Sequence, residues 1–424
     1  MSEGYRAPAR EELLRAKRPR KLPIIPNAAE AARSVPLTAT PTAVDKVRPI
    51  YCVWEVTLAC DLACRHCGSR AGRARPDELN RDDALDLASQ LVELGIKEVT
   101  LIGGEAYMRD DWLDLIRFFS KAGVATSMTT GGRSLTADMA RAAADAGLRG
   151  ASVSLDGMRE AHDRLRGVAG AFDSALTAMG HLMKAGVNVY NNTQINRISL
   201  PDLPQLLETI IENGSRAWQI MLTVPMGRAV DEPEVMLQPY ELLELFPLLA
   251  TLKERADEAK VTVWRGNTLG YFGPYESLMQ GWTPRGHGGS CGAGRATIGI
   301  EADGTIKGCP SLGTRKWGAG NSRDARLEDI WTRSEPIRYT RTRTTADLWG
   351  YCATCYYADT CRSGCTWMGD MLLGKPGNNP YCHHRAIEMN AAGKRERVVQ
   401  VEAAPGQPFD QGRFEIIEEE LSNI

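Results

Sequence analysis

Nothing in this sequence approaches the roughly 18–20 uninterrupted apolar residues that a helix needs to span a bilayer, and its first residues lack the apolar core of a secretory signal. No membrane is expected as a partner, and the chain reads as cytoplasmic. An overall charge of one sign is also lacking: 51 Lys and Arg face 53 Asp and Glu, a formal net charge of −2. Nucleic acid is therefore not expected as a partner either, and any electrostatic site must be local. Two local biases stand at the ends. Residues 1–22 carry seven Arg and Lys against three Glu, and residues 401–424 carry six Asp and Glu against Arg413. Both read as solvated tails. Glu3, Glu11 and Glu12 argue against an organelle transit peptide, which avoids acidic residues.

What the chain has is ordinary globular composition, 43% hydrophobic and 25% charged over 424 residues, enough for one large domain and a smaller one. It also has eleven cysteines. A reducing compartment does not sustain disulfides, so these thiols need another purpose.

From residue 50 onward, short β-rich runs alternate with amphipathic stretches, the pattern of a parallel sheet with helical crossovers. The strand candidates are Tyr51–Leu58, Val99–Gly103, Val124–Thr130, Gly150–Leu155, Val187–Ile195 and Ala217–Val224. Helices are expected over 81–95, 111–122, 137–147, 172–185 and 202–213. Asn80 and Thr136 stand as N-caps, and Gly95 and Gly147 stand where helices should stop. Six such units suit an open doubly wound sheet or a partial (βα)6 barrel, and periodicity alone does not choose. Residues 1–48 read as an extended, Pro-broken lead-in, 49–239 as the α/β core and 240–285 as a linker helix with a bridging region. Residues 286–390 read as a small metal-held domain rich in Gly, Cys and Trp, and 391–424 as an acidic tail.

Cys60-Asp-Leu-Ala-Cys64-Arg-His-Cys67 directly follows the first strand candidate, at the end where parallel α/β folds place their ligand sites. Three thiolates in a short loop can wrap one face of an iron–sulfur cubane and leave one iron open, since such clusters usually take four cysteines. Zinc completed by His66 or a remote residue is the alternative at this point.

Cys-x3-Cys-x2-Cys in this position resembles the signature of the radical S-adenosylmethionine (SAM) superfamily. The resemblance implies a [4Fe–4S] cluster on Cys60, Cys64 and Cys67, whose open iron is chelated by the methionine end of the cofactor. Reductive cleavage of that cofactor then yields a 5′-deoxyadenosyl radical. Further segments resemble the family's cofactor contacts: Gly103-Gly104-Glu105 for the methionine ammonium, Ser154 and Asp156 for the ribose, Arg166 for the methionine carboxylate, and Asn196 after the fifth strand. In the second domain, Cys291-x12-Gly304-x4-Cys309, Cys352-x2-Cys355-x5-Cys361-x3-Cys365 and then Cys382 resemble the SPASM domain of such enzymes. That implies two auxiliary [4Fe–4S] clusters, three clusters in all. By the same resemblance Cys382 completes the set of Cys352, Cys355 and Cys361, while Cys365 joins Cys291 and Cys309. The latter set lacks a fourth cysteine, which leaves an open iron or one held by His287. Cys52 is left over, as a small buried apolar residue.

Enzymes of this pattern mostly modify ribosomally made peptides by oxidation or cross-linking, so a peptide-modifying maturase is the leading expectation. A precursor peptide, an external electron donor and a separate leader-binding protein are the expected partners, because residues 1–48 are too short and Pro-broken for a leader-gripping module. The alternatives are a radical SAM enzyme acting on a small molecule such as a tetrapyrrole side chain, and a zinc-stabilised binding protein without catalysis.

Overall fold

The computed structural model describes residues 47–270, 273–279 and 290–423. Nearly all of the N-terminal lead-in, and His287, lie outside the described residues. The first part of the chain runs β1 (Tyr51–Glu55), α1 (Arg81–Leu94), β2 (Glu98–Ile102), α2 (Trp112–Lys121), β3 (Ala125–Thr130), α3 (Ala137–Ala146), β4 (Gly150–Ser154), α4 (Arg159–Arg166), α5 (Ala171–Lys184), β5 (Asn188–Ile195), α6 (Leu203–Glu212), β6 (Ala217–Leu222), α7 (Leu242–Glu258) and β7 (Thr262–Arg265). β1 to β7 pair in sequence order, all parallel. The core is thus the (βα) array expected of a partial barrel, followed by a smaller, mostly helical region.

Local chemistry sets the boundaries. Asn80 Oδ1 accepts from the Asp83 amide at 2.9 Å, and Thr136 Oγ1 accepts from Met139 at 3.2 Å, so both helices start on side-chain caps. Gly95 (φ 96°) and Gly147 (φ 105°) close α1 and α3 in the left-handed region, where a Cβ is strained. α2 buries Trp112, Leu115, Ile116 and Phe119, spaced as one helix face. Each such side chain contributes about 1.5–3 kcal/mol on leaving water. Within Pro233–Glu258 an 18-residue window has a mean hydropathy of 1.2, long and apolar enough to cross a membrane. However, half of it is buried inside the fold, and Leu242, Leu245, Phe246 and Leu249 pack into the main core.

Three features differ from the sequence expectation. The sheet has nine strands rather than six, in the order β7-β6-β5-β4-β3-β2-β1-β8-β9. β7 is only four residues long with Trp264 half exposed, too short for a readable period. The second domain extends the sheet of the first: its strand β8 (Thr297–Ile300) pairs parallel with β1, and β9 (Ile306–Lys307) lies antiparallel beyond it. After α8 (Leu327–Arg333), α9 (Glu335–Thr342), α10 (Thr366–Leu373) and α11 (His383–Ala391), the expected solvated tail is instead an antiparallel hairpin, β10 (Lys394–Glu402) and β11 (Arg413–Glu420). The acidic count in 401–424 misled because the balancing bases lie just upstream. Lys394 pairs with Glu418, while Arg395 and Arg397 both pair with Glu419 across the strands.

Candidate functional site

The segment that follows β1 carries Cys60, Cys64 and Cys67 into the mouth of a cavity of about 270 Å³ at the carboxyl ends of the strands. Main-chain bonds hold this segment: Cys60 N to Gly72 O (3.1 Å), Ala63 N to Arg166 O (3.1 Å) and Arg65 N to Leu165 O (2.8 Å). Gly103 and Gly104, just past β2, press against it. A Cβ on Gly104 would lie 2.2 Å from Ala59 O and 2.6 Å from Cys60 Cβ, so only glycine lets the two backbones meet. Burial pushes the free thiols of Cys60 and Cys64 up to about 12 and about 11, so metal binding must displace their protons. Three convergent thiols on a glycine-braced loop, open to a cavity on one side, fit a cubane with one exposed iron.

Glu105 is buried in the cavity wall, accepting from Thr130 Oγ1 at 2.5 Å and Gly131 N at 2.6 Å. Burial outweighs those two bonds and raises its carboxyl to about 7. Ser154 faces the cavity and donates to Asn192 Oδ1 at 3.2 Å. Arg166, the last residue of α4, lines the wall with Nη1 3.7 Å from Cys64 Sγ.

Asp156, expected at a ribose, lies fully buried behind Arg166 rather than on the cavity surface. Its Oδ2 is 2.5 Å from Arg166 Nη2 and 3.0 Å from His66 Nε2. Burial alone would raise its carboxyl, but Arg166 and then His66 overcome that and hold it well below the ordinary range. Its place in the structure is to orient those two side chains. Asn196, expected at the cofactor, is turned into the loop after β5. Its Oδ1 accepts from Ile198 N (2.9 Å) and Ser199 N (3.1 Å), and its Nδ2 reaches Thr223 Oγ1 at 3.2 Å. Strand alternation aims Asn192 and Gln194 at the cavity instead, and β5 stops at Ile195, before the alternation could include Asn196.

The sequence reading missed several lining residues. Glu55 ends β1; Arg228 bonds Cys64 O at 2.7 Å and Ala71 O at 2.9 Å; Trp367 and Phe409 come from the second domain and from the hairpin loop. Only Glu55 carried a local signal, as a charge at the end of an apolar strand pointing toward the ligand end of the sheet.

In the second domain Cys352, Cys355, Cys361 and Cys382 line one small pocket with Tyr351, Tyr357 and His384. Cys291, Cys309 and Cys365 gather at a second place, against Trp317, Tyr339 and Trp367. Pro310 and Ser311, next to Cys309, line the main cavity. Four thiols around one pocket fit a cluster closed by protein, and three fit one with a position left over. All eleven cysteines are free thiols, and Cys52 is wholly buried within β1.

Comparison with known proteins agrees with this geometry. The family model of the radical SAM superfamily matches residues 54–210, and that of the SPASM iron–sulfur cluster-binding domain matches residues 291–356. The chain is 30% identical over 365 residues to the AdoMet-dependent heme synthase of Oleidesulfovibrio alaskensis, covering 81% of this chain and 89% of that one. It is 29% identical over 340 residues to the mycofactocin maturase MftC of Mycobacterium tuberculosis, covering 79% and 83%. Its fold is similar to that of anSMEcpe solved with AdoMet and the Cp18Cys peptide, with a TM-score of 0.63 at 16% identity over 80% of this chain and 96% of that one. A zinc-stabilised binding protein without catalysis is thereby set aside. The chain belongs to the radical SAM superfamily, as an enzyme with a C-terminal SPASM-type iron–sulfur domain.

Proposed function

We propose that this enzyme carries out an AdoMet-dependent radical oxidation of a side chain on a small carboxylated molecule of the tetrapyrrole type. The observation that carries the reading is the similarity to a heme synthase, which covers 81% of this chain and so reaches into both domains. The reading takes up the alternative weighed from the sequence in preference to its leading expectation, the peptide. In this reading Cys60, Cys64 and Cys67 hold the AdoMet-binding [4Fe–4S] cluster, and the two cysteine groups of the second domain hold two auxiliary clusters. With AdoMet bound and an external electron donor, the first cluster would supply a 5′-deoxyadenosyl radical that takes a hydrogen atom from the substrate, and the auxiliary clusters would take up the electron the substrate then loses. Glu105 accepts the methionine ammonium, Arg166 takes the methionine carboxylate, and Ser154 meets the ribose. Asp156 and His66 keep Arg166 in place. Trp367 and Phe409 shield the far side of the cavity from water. Iron–sulfur chemistry of this kind suits the reducing cytoplasm.

A second reading, a peptide maturase with a separate leader-binding partner, is favoured by the similarity to the mycofactocin maturase, nearly equal in identity and coverage. Anaerobic incubation of the reconstituted enzyme with AdoMet, dithionite and either Fe-coproporphyrin III or candidate precursor peptides separates the two. A mass change in the porphyrin matched by 5′-deoxyadenosine supports the tetrapyrrole reading. A mass change confined to a peptide replaces it with the second.

A further inference from the structure

The cavity contains a buried acid that the radical chemistry above leaves unused. Glu55 ends β1 with its side chain in the cavity wall, and the residue is 3% exposed. Its Oε1 has no hydrogen-bond partner among the described residues. The nearest cation is Arg75, whose Nη2 lies 3.9 Å away.

The surrounding charges balance without it. Arg75 Nη1 sits 3.1 Å from Glu301 and 3.3 Å from Asp303, and the fully buried Lys307 Nζ sits 2.8 Å from Glu301 Oε1. Two cations therefore face two carboxylates, contributed by the loop after β1, the end of β8 and β9. Lys307 also donates to Leu312 O at 2.6 Å and lies 3.8 Å from the centre of the Phe409 ring, which covers it on the hairpin side. An ionised Glu55 would be a fifth, uncompensated charge in a dry place, where a lone carboxylate is costly. The neutral acid avoids that and keeps one O–H donor beside an oxygen that has no partner among the described residues. Burial first, and then the Glu301 carboxylate, raise Glu55 to about 8 against the opposing pull of Arg75 and Lys307. Arg228 also lines this cavity and brings a positive charge to it. A neutral donor and a guanidinium group in one cavity make a place for an anion.

We propose that Glu55 is a specificity-determining residue, which in its acid form donates a hydrogen bond to a carboxylate of the substrate. The inference rests on the tetrapyrrole reading, whose propionates supply that carboxylate. Glu55 and Arg228 share the cavity with the cluster loop but are not among the residues assigned to AdoMet.

The test is a titration of Fe-coproporphyrin III, and of the same porphyrin with every propionate methylated, into the full-length holoenzyme from mildly acidic to alkaline pH. It is followed by the Soret band in the wild type, Glu55→Gln and Glu55→Ala. Iron content and AdoMet affinity are measured in parallel to show that each variant is folded and loaded. In the wild type, affinity for the free acid should fall once pH exceeds the Glu55 value, approaching about tenfold per pH unit as the ionised group repels the propionate. Glu55→Gln keeps a donor but cannot ionise, so its affinity should stay level with pH. Glu55→Ala should bind the free acid about tenfold more weakly at neutral pH and the methyl ester as well as the wild type does. The inference is overturned if wild type and Glu55→Gln share one pH profile, if Glu55→Ala weakens acid and ester alike, or if AdoMet affinity falls together with porphyrin affinity. If Glu55→Ala does not fold, the Glu55→Gln profile decides. Wild type that binds no porphyrin at any pH would sink the tetrapyrrole reading itself, and the inference with it; the other failures leave that reading standing.

Discussion

The cysteine pocket of the second domain and the cysteine loop of the first use the same ligand chemistry to opposite ends. Cys352, Cys355, Cys361 and Cys382 enclose a small pocket whose other walls include Tyr351, Tyr357 and His384. Cys60, Cys64 and Cys67 stand on one side of a much larger cavity whose other walls carry Glu55, Glu105, Arg166, Arg228, Asn192 and Gln194. Four thiols meeting in a closed space leave a metal nothing more to bind, so such a site relays electrons or holds structure. Three thiols beside a polar cavity leave a coordination position and room for what fills it.

The sharpest break of that comparison removes the open site. Replacing Cys60, Cys64 and Cys67 together with Ala should abolish 5′-deoxyadenosine formation while iron remains in the second domain; measurable cleavage after anaerobic reconstitution would contradict the assignment. Cys361→Ala makes the reciprocal cut. Iron should be lost from the closed pocket, substrate oxidation should fail, and AdoMet cleavage without substrate should persist, as read by iron analysis and chromatography.

A third comparison lies within the open site, between its thiols and the charges behind them. Arg166→Ala leaves Asp156 as a buried, half-compensated carboxylate, which should cost about 3–5 kcal/mol in unfolding free energy and also weaken AdoMet binding. Pairing it with Asp156→Asn should recover most of the stability but not the AdoMet affinity. Because Asp156 is held below its ordinary value of 3.8, its contribution is present above that pH and fades as acid lowers the pH through the folded-state value. Denaturant titrations at neutral and acid pH check both points. Phe409→Ala, which uncaps Lys307 and opens the cavity on the hairpin side, should cost about 3 kcal/mol and speed AdoMet exchange without changing iron content. The smallest effect belongs to the leftover thiol. Cys52→Ala should keep all iron and cost about 1 kcal/mol; loss of a cluster would show that this buried residue is a ligand after all.

The cysteine loop was readable because its three ligands are consecutive on a short segment after a strand, where spacing is geometry. The same holds for the caps at Asn80 and Thr136, which depend on residues three positions away. Asn196 misled for the reason it looked suitable. A polar residue at a strand end can face the cavity or fold back to cap the turn, and here the Ile198 and Ser199 amides take the Asn196 oxygen. The C-terminal hairpin was unreadable as structure because its strands are mostly charged, and both its cross-strand pairs and the packing of Val398 and Phe414 into the core are visible only once the register is known.

The family and the grouping of cysteines in the second domain came through the resemblance that the cysteine motifs carry, whereas the order of β and α units and the loop that gathers three thiols were determined by the sequence alone. Each depends on spacing along the chain, which the fold cannot alter. The pairing of β8 with β1, the burial of Asp156 behind Arg166, the balance of Arg75 and Lys307 against Glu301 and Asp303 beside Glu55, and the reach of Phe409 into the cavity were decided by the tertiary structure. They join residues up to several hundred positions apart, and the energies involved, desolvation above all, exist only after packing has removed the water.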